Sequence, residues 1–599
     1  MLLAPTVNIN RIPVWGRNFE GFGEDPYLTG RIAVGYIKGL QAEGIIPSVK
    51  HFAVNNQEYE RHRVDVQIDD RTLNEIYLPA FKAAVQEAGA WSVMSAYNKV
   101  NGDWCAENPL LLTETLQKAW GFKGFVISDW GSTYRTEATA GSGMNLEMPG
   151  GPMLAKFLAI PMVHDAGFMG GYLVKDKVMA ALNSGKLQQA AVDDSVRRML
   201  RVMFTTGLFD KPKPGGGEVD TPAQRAVARQ GATESIVLLK NASDLLPLAA
   251  GKTKSVAVIG PNAAEARPGG GGSSKVDSQY KVAPLDGIKE SAGAQVQVGY
   301  ALGVTMEGQD KNETPAARKQ KIDEAVALAK KSDVAVVFVG YSPELESEDF
   351  DRKSVDLPAG QDDLIGAVAA ANPRTVVVVV AGGPVTMTKW IGKTPAVLMQ
   401  FYGGQEAGHA IADVLFGAAN PSGKLPVTFP KQLSDSPAAA NYPGGKDYKL
   451  TYAEGIYVGY RGFDKKKTEP LFPFGHGLSY TKFEYSNLQV TPKVEMGKAA
   501  EVTVQLRNSG SHEGAEVVQV YLRDVQSSVD RPLKELKAFK RVNLKPGETQ
   551  SATFTLDQSA MSFYDAAKKT WIAEPGSFEV WVGSSSSDIR LKGTFQLLQ

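Results

Sequence analysis

A single cysteine, Cys105, stands in a chain of 599 residues, so no internal disulfide can form and cysteine usage assigns no redox compartment. Histidine is scarce too, six in all, and the histidines do not pair at ligand spacing, which predicts no metal. Neither sign of charge dominates. Lys plus Arg and Asp plus Glu number 65 each, which removes any global electrostatic reason to expect a nucleic acid or an anionic membrane as partner. Long hydrophobic runs are missing as well: the longest, around Thr375 to Ala381, is strand-sized and β-branched, far short of a membrane span. A small neutral molecule is the partner that composition leaves open. The first residues lack a basic segment and a cleavage site, since Met1 is followed at once by LLAPTVNIN, which reads as a buried strand. The chain therefore reads as beginning inside a fold. Its compartment stays open: periplasmic or extracellular if a signal peptide preceded this segment, cytoplasmic otherwise.

What is present is several domains, since this length exceeds what one core serves. Residues 1–210 repeat a pattern of short apolar run, polar tip and helix. LLAPTVNI runs into Asn10 and Arg11 and then RNFE at 17–20; IIPSV runs into Lys50 and His51; WSVMSA runs into Tyr97 and Asn98; GFVIS runs into Asp129 and Trp130. A fifth strand is expected near Met144 to Met148. Between them, Leu73, Ile76, Tyr77, Ala80, Phe81, Ala84 and Val85 recur at three and four, predicting a helix over about 71–88, capped by Asp69 or Asp70, ended by Gly89 and kinked at Pro79. Strands alternating with helices predict a parallel sheet, most simply a (β/α)8-type barrel, here short of units at its amino end.

In such sheets the carboxyl ends of the strands open onto the active-site face. Lys50, His51, Arg61, Tyr97, Asp129 and Trp130 would converge there, a set of polar partners for hydroxyl groups around one carboxylate, with an aromatic platform for a sugar's apolar face. Asp129 is the candidate nucleophile; its alternative is to cap the next helix. For Lys50 and Arg61 the alternative is pairing with Glu58 and Glu60 on a solvated face, and for His51 a satisfied core position.

A linker rich in Lys, Pro and Gly (211–221) precedes a second region, 222–430, whose runs at 255–260, 334–340, 375–382 and 396–402 are nearly continuous valine. Such strands are covered on both faces, which predicts an α/β sandwich with helices near 320–332, 361–371 and 405–416. The glycine-rich stretch 267–276 has neither the GxxxxGK[ST] nor the GxGxxG pattern of a phosphate loop, and no cofactor is expected. The segment PELESEDFDRKS (343–354) leaves the end of a buried strand. Phe350 gives it something to bury and Arg352 something to pair, against the alternative of a solvated acidic loop. After a bridging segment, 431–481, residues 482–599 alternate with period two and read as a β-sandwich of structural role.

Four stretches, GRNFEGFGEDPYLTG (16–30), SVKHFAVNNQEYER (48–61), MSAYNKVNG (94–102) and ISDW (127–130), resemble the catalytic barrel of the family 3 glycoside hydrolases, chiefly their β-glucosidase and β-xylosidase branch. The resemblance implies a retaining β-glycosidase acting on a small carbohydrate. Asp129 would be the nucleophile. Arg17, Lys50, His51, Arg61 and Tyr97 would hold the hydroxyls of the sugar, and Met94 and Trp130 would line its apolar wall. The second domain would supply Ser273 or Ser274 to the sugar and Glu348, with Glu346 as fallback, as the acid/base; the tail would be fibronectin III-like. On this reading Glu348 is kept protonated and Asp129 ionised by Lys50 and Arg61, with the carboxyls about 5 to 5.5 Å apart. Family members usually carry further barrel units ahead of the strand matching residues 2–9, including an Asp on the sugar's distal hydroxyls that no position here matches. Either the chain is short at its amino end or a second copy, in a homodimer, supplies what is absent. The alternatives are a xylosidase or arabinosidase, or a non-catalytic sugar-binding remnant. The subgroup acting on N-acetylglucosamine carries a KHFPGHG-like loop, whereas Lys50-His51-Phe52 is followed here by Ala-Val-Asn-Asn.

Overall fold

The computed structural model describes residues 1–150, 171–210, 217–249 and 251–599. Its first unit is built on helix α1 (Pro26–Ala42), strand β1 (Ser48–Phe52), helix α2 (Pro79–Gln86), strands β2 (Ser92–Ser95) and β3 (Phe125–Ile127), and helix α3 (Gln189–Thr205). β1, β2 and β3 pair in parallel, with Val49 opposite Val93 and Val93 opposite Val126. The sheet extends on both sides. Residues 2–7 run parallel to β1, with Lys50 N donating to Pro5 O at 3.0 Å and Val7 N to Lys50 O at 2.7 Å, and Leu146 bridges Ile127 beyond β3. These are the five parallel segments read from the sequence, and among the described residues the sheet does not close. Leu200 and Phe204 of α3 are correspondingly exposed, at 40% and 60%.

The helix expected over 71–88 forms with a fault at its proline. Asp69 caps it through Thr72 N at 2.9 Å. Leu73–Tyr77 then widens into a π-helical turn, and α2 resumes at Pro79. Proline carries no N–H and crowds the preceding turn; the Leu78 amide reaches back to Leu73 O at 3.0 Å instead.

The second unit is a six-stranded sheet: β4 (Val237–Asn241), β5 (Ser255–Ile259), β6 (Gln297–Ala301), β7 (Val334–Gly340), β8 (Thr375–Val380) and β9 (Ala396–Gln400), in the order β4-β9-β8-β7-β5-β6. All pairs are parallel except β4 with β9. Every residue of β7, β8 and β9 is buried, because helices cover both faces, and each buried valine contributes roughly 1.5–3 kcal/mol relative to exposure. β4 and β6 went unassigned from sequence; both lie at sheet edges, and β6 is half-exposed along its length. Of the expected linker, residues 211–216 lie outside the described residues, and Thr221 caps a helix at Pro222–Ser235.

The third unit is a sandwich of a three-stranded sheet (Phe483–Val490, Ala500–Asn508, Thr549–Leu556) and a five-stranded one centred on Gly576–Gly583 and Gly514–Asp524. It closes on the first unit through the bridging segment. Tyr460 donates to Asp25 at 2.9 Å and accepts from Leu536 N at 2.9 Å, while Arg461 binds the same Asp25 oxygen at 2.8 Å. Glu24, beside them, takes Thr428 N and Tyr460 N, each at 2.8 Å.

Candidate active site

β3 ends at Ile127, and Asp129 stands two residues beyond it, on the face where β1 and β2 also end. The next helix, Thr136–Gly141, begins after Arg135, so Asp129 caps no helix. One carboxylate oxygen, Oδ1, accepts from its neighbour Trp130 N at 2.8 Å; the other, Oδ2, is buried and has no hydrogen-bond partner. His51 faces it, Nε2 to Oδ2 at 3.6 Å.

The state of His51 follows from Asn8. The Asn8 side chain donates to His51 O at 2.9 Å, and its Oδ1 accepts from His51 N at 2.7 Å. The oxygen 3.1 Å from Nδ1 is therefore an acceptor, and Nδ1 carries the proton. Burial, with Arg17, Lys50 and Arg61 close by, holds the imidazole well below its usual range, so the ring is neutral and Nε2 presents a lone pair to the pocket. A hydroxyl could donate to it. His51 is thus both satisfied in the core and part of the site.

Arg17 lies 1% exposed and locks onto Glu20 with two bonds, at 2.9 and 2.8 Å, while its Nη1 reaches Glu348 at 3.3 Å. Arg61 donates to Glu58 at 2.7 Å and to Glu348 at 2.9 Å, pairs with Asp349, and sits 4.5 Å over the Tyr97 ring. Pairing with Glu58 and facing the pocket are therefore compatible. Lys50 is buried, which lowers its ammonium from the usual value despite Glu20, Asp129 and Glu348 nearby. The Tyr97 phenol is pushed well up by burial and by Asp129. Met94 and Trp130 meet in one apolar cluster with Ile127 and Phe125.

The acidic segment does not face bulk water. Leaving β7, it docks on the first unit through Asp351, whose carboxylate accepts from Gly16 N at 3.0 Å, Glu58 N at 2.9 Å, Tyr59 N at 3.0 Å and the Tyr442 hydroxyl at 2.9 Å. Arg352 N donates to Val14 O at 2.8 Å, and its guanidinium bonds the carbonyls of Pro13 and Pro384. Arg352 is paired, with Glu346 at 3.6 Å, and is itself buried, but Phe350, expected to be buried, is 40% exposed; the anchor is polar, and the aromatic stays at the rim. The docking is tight enough to demand glycine. A Cβ on Gly16 would lie 1.9 Å from Phe350 O, and one on Gly272 2.4 Å from Glu348 Cβ.

Glu348 is thereby placed among the residues of the first unit. Its Oε1 takes Arg17 and Arg61, and its Oε2 accepts from Ser273 N at 2.7 Å. Ser273 contributes its backbone here; its neighbour Ser274 is likewise exposed. Glu346 is fully buried and committed elsewhere, to Gly382 N and the Tyr402 hydroxyl at 2.6 Å each. The protonation order expected from sequence is reversed. Burial pushes Asp129 up, opposed by Arg17, Arg61 and Lys50, whereas Arg17 and Arg61 hold Glu348 far below the carboxylate range against its own burial. The reason is geometric, since Arg61, assigned to Asp129, makes its direct bond to Glu348, as does Arg17.

Three positioning groups escaped the sequence reading. Asn8 fixes His51, Glu20 fixes Arg17, and Asp351 seats the acidic segment. Glu20 sits in the RNFE stretch already marked as a strand tip, and Asn8 is the one amide inside the apolar run before it, which was the available signal; Asp351 makes contacts about three hundred positions away in sequence, which no local pattern reveals.

Two carboxyls from different folding units, ringed by guanidinium, imidazole and phenol groups beside an indole, are equipped to break an acetal. The comparisons agree. The model of the glycosyl hydrolase family 3 N-terminal domain matches residues 1–202, that of the C-terminal domain residues 236–480, and a fibronectin type III-like domain residues 516–586. A thermostable β-glucosidase B of Acetivibrio thermocellus is 44% identical over 593 residues, covering 99% of this chain and 74% of the relative. An exo-α-(1→6)-L-arabinopyranosidase of Bifidobacterium breve is 38% identical, covering 98% and 74%. The crystal structure of a Bifidobacterium adolescentis β-glucosidase superposes with a TM-score of 0.90 at 38% identity, covering 99% of this chain and 82% of that one. This chain belongs to glycoside hydrolase family 3, and it is a glycoside hydrolase acting on carbohydrate.

Proposed function

We propose that the chain is a retaining, exo-acting β-glucosidase that releases terminal β-D-glucose from β-glucosides or oligosaccharides. The observation that carries the reading is the seating of Glu348 from the second unit against Arg17 and Arg61 of the first, the two guanidiniums that also act on Asp129. In the first step Asp129 Oδ2, the oxygen free of hydrogen bonds, attacks the anomeric carbon. The bond to the leaving oxygen breaks as that oxygen takes the proton of Glu348. In the second, water attacks the glycosyl-aspartate, Glu348 recovers a proton from it, and Asp129 leaves, so two inversions give net retention.

For the first step Glu348 must carry a proton. Sugar hydroxyls entering the pocket compete for Arg17 and Arg61, and each bond they take from Glu348 raises its affinity for a proton. Lys50 and Tyr97 face Asp129, and the neutral Nε2 of His51 accepts from a hydroxyl. Glucose rather than a pentose is supported by the β-glucosidase relatives at 44% and 41% identity, above the 38% of the arabinopyranosidase.

Aryl glycosides test it. Glu348→Ala loses roughly 10²–10⁴-fold in kcat, the usual worth of a general acid/base, and azide restores turnover with a β-glucosyl azide as product. Asp129→Asn loses at least as much and is not restored. Normal turnover in Asp129→Asn, or an α-glucosyl azide as the product rescued from Glu348→Ala, contradicts the assignment.

A further inference from the structure

Away from the catalytic pocket, a cleft of about 470 Å³ separates the outer face of α1 and α2 from the third unit. That volume lies within the range of small-molecule sites, roughly 300–1,000 Å³. None of the catalytic or pocket residues described above lines it. Its charge is balanced, with four basic side chains against four acidic ones, which disfavours an ionic ligand. Most of these are already engaged: Arg31 pairs with Glu87, Glu75 with Arg71, and Glu535 with Arg531.

Two keep donor atoms without a hydrogen bond. Arg461 lines the cleft and is 1% exposed; its Nη2 is bonded to Asp25 and its Nε stands 3.9 Å from Glu535, an ion pair too long for a hydrogen bond, so that Nε and Nη1 have no hydrogen-bond partner. Buried donors left unpaired are costly, which is unusual unless something else completes them. Lys82 stands 5.5 Å over the ring of Trp571, with no hydrogen-bond acceptor among the described residues. Trp571 itself is half-buried at the cleft wall. Unpaired donors beside a partly exposed indole, in a neutral cleft, match a ligand with many hydroxyls and an apolar ring face.

We propose that this cleft is a second, non-catalytic saccharide site that holds a neutral β-glucan chain between the barrel helices and the fibronectin III-like unit. The choice of a β-glucan rests on the β-glucosidase reading above; the site does not. Full-length protein is run in native gels containing a soluble mixed-linkage β-glucan, alongside Trp571→Ala and, in case that variant folds poorly, Lys82→Ala. The wild type is retarded, each variant shows at least a tenfold weaker dissociation constant, and hydrolysis of a nitrophenyl β-glucoside stays within twofold. Absence of retardation in the wild type, or undiminished retardation in both variants, overturns the proposal. Loss of nitrophenyl glucoside hydrolysis in the wild type would instead count against the catalytic reading, which this gel assay does not measure.

Discussion

Gly16→Ala places a single methyl group where the two catalytic units touch. The added Cβ would lie 1.9 Å from Phe350 O and 2.3 Å from Ser347 O, both backbone atoms flanking Glu348. Neither carbonyl can turn aside cheaply, because Gly271 pairs with the segment, Glu348 N bonding Gly271 O at 3.2 Å, and Asp351 holds its far end. The segment must therefore retreat by roughly 1 to 1.5 Å to reach ordinary contact, and a misplacement of about 1 Å at a catalytic group costs on the order of 10²-fold, or about 2.7 kcal/mol of barrier. Two substrates separate this from general damage. A dinitrophenyl β-glucoside needs little protonation of its leaving group, so its kcat/KM should fall less than about tenfold, whereas that of an alkyl β-glucoside should fall about 100-fold. Values within twofold of wild type for both would refute the idea that the close approach at Gly16 sets Glu348. Equal large losses for both would place the damage in the pocket and refute it as well.

Other perturbations give separate handles. Arg61→Ala removes charge-assisted bonds to Glu348 and Glu58, each worth about 1.5–3 kcal/mol; kcat/KM on an aryl β-glucoside should drop at least tenfold, and an unchanged value would exclude Arg61 from the pocket. Glu24 is raised by burial from 4.5 to about 7. An acid raised in the folded state contributes stability that is complete below its unfolded value and is lost as pH rises through the folded one. The stability difference between wild type and Glu24→Gln, followed by chemical denaturation, should therefore shift against the wild type by roughly 3 kcal/mol between pH 4.5 and 8; a pH-independent difference, or one of opposite sign, contradicts the assignment.

How far the sequence could be read depended on whether each feature was local. The valine runs of β7 and β8 announce strands covered on both faces, and Asp129 was visible because it closes the apolar run Phe125–Ile127. The edge strand β6 was not legible, since a half-exposed strand loses the apolar continuity that marks its neighbours; β4 has a buried apolar run, but it follows the helix Pro222–Ser235 with only Ile236 between them and was not separated from it. Ile589–Leu597 was missed as well: its alternation is regular, with Arg590, Lys592, Thr594 and Gln596 on the outer face, but Gly593 leaves a gap in the apolar register. At the site, residue types and strand ends pointed to Lys50, His51, Arg61, Tyr97 and Asp129, which the structure brings close to one another. The bonding between them was not legible: that Arg17 and Arg61 would bind Glu348 directly depends on the docking of a segment some three hundred positions away through Asp351. For that reason the protonation order of the two carboxyls came out inverted, although their convergence did not.

The most direct test of the central claim is mass spectrometry of the protein treated with 2-deoxy-2-fluoro-β-glucosyl fluoride, whose fluorine slows breakdown of a glycosyl-enzyme. The mechanism derived above predicts one fluoroglucosyl unit per chain, mapped by peptide sequencing to Asp129 and released by a transglycosylation acceptor. A label on any other residue, or full activity with no label bound, would contradict it.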